Sequence, residues 1–142
     1  MDQSPATAIF EQLHVLATRF RNRIRDSVAS VDQALTFNGM RVLMRAGRQP
    51  GITQKELVEH SQADKAQMAR IIDHLHENGW LERTPCEHDR RVRRLHLTKQ
   101  GRALYGKLER LQDRVAAEML EACEPAVQQE LLSLLQQAAR DS

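Results

Sequence analysis

Basic side chains are concentrated in one short part of this sequence, residues 83–102. That stretch holds seven Lys/Arg and two acidic residues, a local charge of +5, although the whole chain carries only +2. Residues 103–142 hold four Lys/Arg and seven acidic residues, a charge of −3. Positive charge at this density suits an anionic partner, so a basic middle and an acidic tail segment indicate two separate roles.

The basic stretch has the pattern of a β-hairpin. The strand-like segments "WLERT" and "VRRLHLT" flank the polar segment "PCEHDRR". Arg90 and Arg91 then lie near the tip, where Asp89 is predicted to pair with an arginine and fix its direction. A two-stranded ribbon can place such arginines in a minor groove or along phosphates. The alternative is a solvated hairpin whose charges prevent edge-to-edge aggregation, a task that lysines and mixed signs would serve better.

A helix-turn-helix precedes this hairpin. "TQKE" has the capping-box form, in which Thr53 and Glu56 satisfy each other's backbone N–H groups at the start of a short helix. After the connector "SQA", Asp64 is predicted to cap "KAQMARIIDHLHEN", which ends at Gly79. A hairpin that follows such a helix pair is a wing, so the sequence predicts a winged helix-turn-helix.

The second helix of the pair, here called the recognition helix, has one apolar and one polar face. Four residues at helical spacing are predicted to be buried, namely Met68, Ile71, Ile72 and Leu75. The outward residues are Lys65, Ala66, Gln67, Ala69, Arg70 and His74. Among these, Gln67 and Arg70 carry donors that pair with adenine and guanine in the major groove. The alternative is an ordinary amphipathic helix with a solvated polar face.

Longer helices frame this region. Ser4 and Pro5 begin a helix with an apolar stripe, Thr36 caps "FNGMRVLMRAG", Thr98 caps a long helix and Pro125 begins the last one. We predict a single domain over 1–142, mainly α with a small β-hairpin wing. Residues 35–98 form the DNA-binding part, and 1–34 and 99–142 form dimerisation helices. A second subunit would cover their stripes and hold two recognition helices roughly 34 Å apart; an intramolecular bundle is the alternative.

Three segments resemble the MarR family of winged-helix bacterial transcription regulators: "TQKELVEHS", "MARIIDHLHENGWLER" and "DRRVRRLHLTKQG". The last matches the wing signature Asp-x-Arg followed by Leu-Thr-x-x-Gly. The resemblance implies a dimeric repressor or activator, in which Asp89 and Arg91 fill the Asp-x-Arg positions and the arginine reaches into the minor groove. This chain has Ala66 and Gln67 where the family often has Ser/Thr pairs, so its operator sequence cannot be inferred from those of other family members.

The resemblance also implies a small, often aromatic, anionic effector bound between the dimerisation helices and the winged part. The walls of that pocket would come from around Leu13, Ala17, Met40, Met44, Leu104 and Leu108, although each of these residues also fits a plain core role. Arg41 or His14 could neutralise the anion. An effector that favours one spacing of the recognition helices would change operator affinity.

We therefore predict a sequence-specific regulator, in the first instance a repressor, that binds a pseudo-palindromic operator as a homodimer and is released by an effector. The predicted DNA-contacting residues are Thr53, Gln54, Lys55, Lys65, Ala66, Gln67, Arg70, His74, Asp89, Arg90, Arg91 and Arg93. No cofactor or metal is predicted, because Cys86 and Cys123 fit no disulfide framework or zinc motif.

Of three other functions, a redox-responsive regulator and a protein-interaction adaptor stay open as alternatives, and an enzyme is disfavoured. Arginines around Cys86 would lower the pKa of its thiol, so the regulator could respond to oxidation. A helical protein-interaction adaptor could use the same wing to bind acidic partners. An enzyme is disfavoured, because the sequence has no Gly-rich phosphate loop or nucleophile elbow. The start "MDQSPATA" lacks a basic leader and no apolar run reaches membrane-spanning length, so a soluble cytoplasmic protein is predicted.

Overall fold

The computed structural model describes residues 2–89 and 91–142. Its elements are α1 (Pro5–Val31), α2 (Phe37–Arg48), β1 (Ile52–Thr53), α3 (Gln54–Glu59), α4 (Lys65–Glu77), β2 (Leu81–Pro85), β3 (Arg93–Leu97), α5 (Lys99–Met119) and α6 (Pro125–Asp141). The prediction of a mainly α fold with a small winged helix-turn-helix is confirmed.

Helix boundaries follow from side-chain caps. A side-chain oxygen accepts a backbone N–H three residues along the chain at five predicted N-caps: Ser4, Thr36, Thr53, Asp64 and Thr98. These bonds satisfy donors that the first turn of a helix leaves without an intrahelical partner. Helix α4 ends where Gly79 adopts a φ of 79°, a left-handed conformation that glycine takes without steric cost.

The sheet has one strand more than the predicted hairpin. Its antiparallel order is β1-β3-β2, with Ile52 opposite Leu95 and Thr53 opposite Arg94. The short strand β1 continues directly into α3, so the first helix of the helix-turn-helix begins on the sheet itself. A run of only two residues carries no alternation that could identify a strand from sequence.

Helix α2 lies at the centre of the core. It packs against α4, α5 and β3, and Leu43 is completely buried. Two residues of the Leu-Thr-x-x-Gly string position α5 on this core. Thr98 caps α5, and Gly101 allows the first turn of α5 to pack directly against the backbone of Trp80. A Cβ atom at Gly101 would lie 2.0 Å from the Trp80 carbonyl oxygen, which leaves no room for any side chain.

The outer helices leave apolar side chains uncovered. Helix α1 packs on α5 through its second half, where Ile24 and Val28 are each 2% exposed, whereas Phe10 in its first half is 72% exposed. Helix α6 has no buried residue, and its exposed apolar side chains are Val127, Leu131, Leu132, Leu134 and Leu135. Within the described residues, no helix is long and apolar enough to span a membrane.

Candidate nucleic-acid interface

Reciprocal capping boxes begin both helices of the helix-turn-helix. At α3, the Thr53 hydroxyl accepts the Glu56 N–H at 3.1 Å, and Glu56 Oε1 accepts the Thr53 N–H at 3.4 Å. At α4, Asp64 Oδ1 accepts the Gln67 N–H at 2.8 Å, and Gln67 Oε1 accepts the Asp64 N–H at 3.3 Å. The side-chain oxygen Oε1 of Gln67 is therefore occupied by the capping hydrogen bond. The side-chain NH₂ group of Gln67 is the part that can donate to a bound nucleic acid.

The exposed and buried faces of α4 separate as the sequence predicts. Met68, Ile72 and Leu75 are at most 1% exposed, whereas Ile71 is only partly buried. On the other face, Lys65, Ala66, Gln67 and Arg70 are exposed and Ala69 is half-buried. Small side chains at 66 and 69 allow close approach of a partner to the helix between longer polar side chains. Thr53 and Gln54 are half-buried and Lys55 is exposed at the start of α3.

His74 differs from the other predicted contact residues of α4. Its ring is half-buried, and Nε2 lies 2.8 Å from the carbonyl oxygen of Ala34, in the turn between α1 and α2. That nitrogen is therefore occupied inside the protein. No local pattern predicts this contact, because the two residues are 40 positions apart in the chain.

The wing turn is shaped by Asp89. Its Oδ1 accepts the backbone N–H of Arg91 at 2.9 Å, and its carbonyl oxygen accepts the N–H of Val92 at 3.1 Å. Asp89 thus organises the turn through backbone hydrogen bonds, and its pairing with an arginine side chain stays a prediction. Arg91 and Arg93 are exposed, and the predicted tip residue Arg90 lies outside the described residues.

Two further arginines fix the sheet to its neighbours, and the sequence-based site did not include them. Arg94 Nη1 donates to the Gly51 carbonyl oxygen at 2.9 Å, which ties β3 to the segment before β1. Arg83 of β2 forms an ion pair with Asp73 of α4. Because side chains alternate along β3, Arg94 lies on the opposite face of the strand from the buried Leu95. Nothing in the local sequence identifies Gly51 or Asp73 as a partner of these arginines.

Cys86 lies where the wing leaves β2. Backbone N–H groups of His88 and Asp89 and the Arg94 side chain lower the pKa of its thiol, while desolvation acts in the opposite direction. The lowered pKa agrees in direction with the sequence argument, but the backbone of the turn contributes more than the arginine. Among the residues that the structure describes, no group of His, Cys, Asp and Glu is arranged to hold a metal ion.

Two cavities open near the helix-turn-helix. One of about 460 Å³ lies between α2, α3 and α4 and includes Arg41, Arg45, His60 and Arg70 in its lining. The other, of about 240 Å³, lies between α1, α2 and α5. Its lining residues are Phe20, Arg21, Ile24, Phe37, Met40, Arg41, Met44, Arg45, Arg48 and Gln112.

Two of the six predicted effector-wall residues, Met40 and Met44, line the smaller cavity. The other four have different surroundings. Leu104 and Leu108 are 6% and 0% exposed in the core, Leu13 is half-buried and Ala17 is exposed. The effector site itself stays a prediction.

Comparisons with known proteins agree with this geometry. Residues 35–92 match the model of the MarR family. The uncharacterized HTH-type transcriptional regulator YybA of Bacillus subtilis (strain 168) is 31% identical over 91 residues, which cover 62% of this chain and 61% of that protein. The HTH-type transcriptional regulator BilQ of Clostridium symbiosum (strain WAL-14163) is 30% identical over 94 residues, 66% of this chain and 65% of that protein. The matches thus span less than two thirds of either relative.

Solved structures extend the likeness of fold over nearly the whole chain. Wild-type MarR (apo form) from E. coli has a TM-score of 0.77 at 22% identity, covering 96% of this chain and 98% of that one. A putative MarR family transcriptional regulator from Listeria monocytogenes, complexed with 26mer DNA, has a TM-score of 0.74 at 20% identity, covering 99% and 89%. The prediction that the chain is not an enzyme agrees with these names, all of which denote regulators.

Proposed function

We propose that the protein is a sequence-specific DNA-binding transcriptional regulator of the MarR family, whose model matches residues 35–92 of this chain. The observation that carries the proposal is the exposed face of α4, on which Lys65, Gln67 and Arg70 surround small residues beside an arginine-bearing wing. The protein from Listeria monocytogenes with a similar fold was crystallised in complex with 26mer DNA. Both observations support a helix that enters the major groove and a wing that follows the adjacent backbone or minor groove.

Within this proposal the polar residues have distinct roles. Arg70 and the Gln67 NH₂ group read base edges, whereas Lys55 and Lys65 contact phosphates near the two helix starts. Asp89 holds the turn from which Arg91 projects. Arg90 and Arg93 belong to the same wing, and Arg90 lies outside the described residues.

The protein acts as a homodimer. Phe10, Leu131 and Leu134 are 72%, 41% and 57% exposed on the outer helices, and a second copy of the chain would cover these apolar side chains. A single module would neutralise few phosphates and read one short site, so its binding would be weak. Two copies joined through α1, α5 and α6 would read two half-sites about one DNA turn apart.

Binding of Arg70→Ala to a duplex enriched from a random pool tests the base-reading face. We expect affinity to fall by about 1–3 kcal/mol with relaxed preference at one position, because a bidentate base contact is lost. Arg91→Ala should weaken binding to most sequences. Arg110→Ala, which removes the same charge from an exposed position on α5, is the matched control. If both site variants bind as the parent does, this assignment is wrong, and a parent without duplex preference would favour the adaptor alternative.

The smaller cavity supports release by an anionic ring compound and hence repression. It combines four arginines with two phenylalanines, and a cavity of about 150 Å³ is enough to hold benzene. Benzoate should therefore weaken duplex binding, whereas uncharged benzyl alcohol should not. Arg21→Ala should reduce the benzoate effect, and Arg19→Ala, on the same helix but outside the cavity lining, should not. An equal response to both compounds would argue against this cavity as the effector site.

Oxidation of Cys86 is a second route of control, favoured by its lowered thiol pKa at the base of the wing. Peroxide should then weaken duplex binding by the parent and by Cys123→Ser but not by Cys86→Ser. Equal loss in both variants would reject this route.

A further inference from the structure

Two adjacent residues in the middle of α4 connect it to opposite neighbours. Asp73 forms an ion pair with Arg83 of β2, in the wing. The His74 ring lies 2.8 Å from the carbonyl oxygen of Ala34, in the turn that follows α1. The recognition helix is thus tied on one side to the wing and on the other to the end of the long first helix.

The donor and the acceptor of the hydrogen bond between His74 and Ala34 follow from their chemistry. A carbonyl oxygen only accepts hydrogen bonds, so His74 Nε2 must carry the hydrogen. Asn78 Nδ2 lies 3.4 Å from the same nitrogen and cannot donate to it in that state. It donates instead to the His74 backbone carbonyl at 2.8 Å. Asn78 therefore supports the end of α4, and the ring of His74 alone makes the connection to Ala34.

The acceptor is held in place by its own turn. Asp32 Oδ1 accepts the Ala34 N–H at 2.9 Å, and the Asp32 carbonyl accepts the Leu35 N–H at 3.1 Å. The Leu35 side chain is 4% exposed. A methyl group added at Gly39 would lie 3.4 Å from both Leu35 and Leu75, so these two leucines converge on one point of α2. The turn and α4 are therefore packed together around the hydrogen bond.

We propose that His74 is a positioning residue, which sets the orientation of the recognition helix relative to the dimerisation helices and does not read DNA. The inference rests on the proposed function, in which α1 contributes to the dimer contact. Because Ala34 lies in the short turn after α1, which ends at Val31, a bond from α4 to Ala34 fixes how far apart the two recognition helices of a dimer lie. His74 would thereby make the dimer selective for one half-site spacing.

The hydrogen bond can be tested without DNA. Nitrogen-15 NMR of the parent should show a protonated Nε2 on His74, and amide exchange at Leu35 should be about fivefold faster in His74→Ala, as expected for the loss of one hydrogen bond. His74→Gln, whose amide nitrogen can occupy the Nε2 position, should restore slow exchange. His76→Ala, on an exposed position of the same helix, is the matched control. An unprotonated Nε2, or unchanged exchange in His74→Ala, would overturn the proposal.

Binding to the enriched duplex then tests the role in spacing. His74→Ala should bind about fivefold more weakly, keep the parent's base preference at every position, and discriminate less against duplexes with one base pair added between the half-sites. His74→Gln should recover both affinity and spacing selectivity. Loss of preference at a single base pair that His74→Gln fails to recover would show that His74 reads DNA, and the proposal would be wrong. A parent that selects no duplex would refute the proposed function, and the exchange experiment alone would then decide on the hydrogen bond.

Discussion

The segment from α2 to the start of α5 and the two outer helix segments use apolar side chains in opposite ways. In the first region Leu43, Ile72 and Leu75 are completely buried around α2. In the first half of α1 and in α6, residues of the same type, such as Ile9 and Leu134, are 55% and 57% exposed. Burial stabilises the first region within one chain, whereas the outer stripes gain that stabilisation only from a second surface. Substitutions in the first region should therefore mainly lower the stability of the fold, whereas substitutions in the outer segments should mainly prevent assembly.

The largest expected effect is on folding, at Gly101. Because a Cβ atom there would lie 2.0 Å from the Trp80 carbonyl oxygen, Gly101→Ala should lower the free energy of unfolding by about 3 kcal/mol or more. Chemical denaturation measures the change. Gly106→Ala, in the same helix, would place its Cβ 3.5 Å from its nearest contact, the Arg110 side chain, and should be neutral or stabilising by up to about 1 kcal/mol. Equal effects of the two substitutions would contradict the packing of α5 on Trp80.

The next effect is on assembly, in α6. Leu131→Glu should leave the fold intact, because the side chain is 41% exposed in a single chain, but should place a charge in the dimer contact. We expect a monomer by light scattering and about 100-fold weaker duplex binding, equivalent to about 2.7 kcal/mol. Gln129→Glu adds the same charge on a different side of α6 and should remain dimeric. A dimer that persists in Leu131→Glu would exclude this face.

The smallest effect concerns helix caps in the two regions. Asp64→Ala removes the cap of α4 and should lower the free energy of unfolding by about 1 kcal/mol, a typical cost of losing such a cap. Ser4→Ala removes the equivalent bond from α1, but the first turn of α1 is exposed and can fray without opening the core. Thermal unfolding should therefore be almost unchanged in Ser4→Ala. Equal losses would mean that α1 is stabilised along its whole length.

Local patterns were sufficient to predict much of this molecule. The side-chain caps and Gly79 determine helix ends through bonds within a few residues, so the order of the helices was predictable, and so were the exposed face of α4 and the uncovered stripe of α6. The short strand β1 was not. Contacts between distant segments were not predictable. The pairing of Ile52 with Leu95, the Arg94 bond to Gly51 and the bond from His74 to Ala34 all depend on how helices pack, which periodicity does not specify.

The effector walls illustrate the same limit. Leu104 and Leu108 share an apolar stripe of α5, and the stripe alone does not indicate which side faces a cavity. The structure places both in the core, while Gln112, one turn further along, lines the smaller cavity with residues of α1 and α2.

Selection of bound duplexes from a random pool tests the central claim, that two copies of α4 and its wing read DNA together. The enriched sequences should form an inverted repeat whose half-site centres are about 10 base pairs apart, and binding to them should weaken steeply with added salt. A pool without enrichment, or enrichment of a single unrepeated element, would contradict the account.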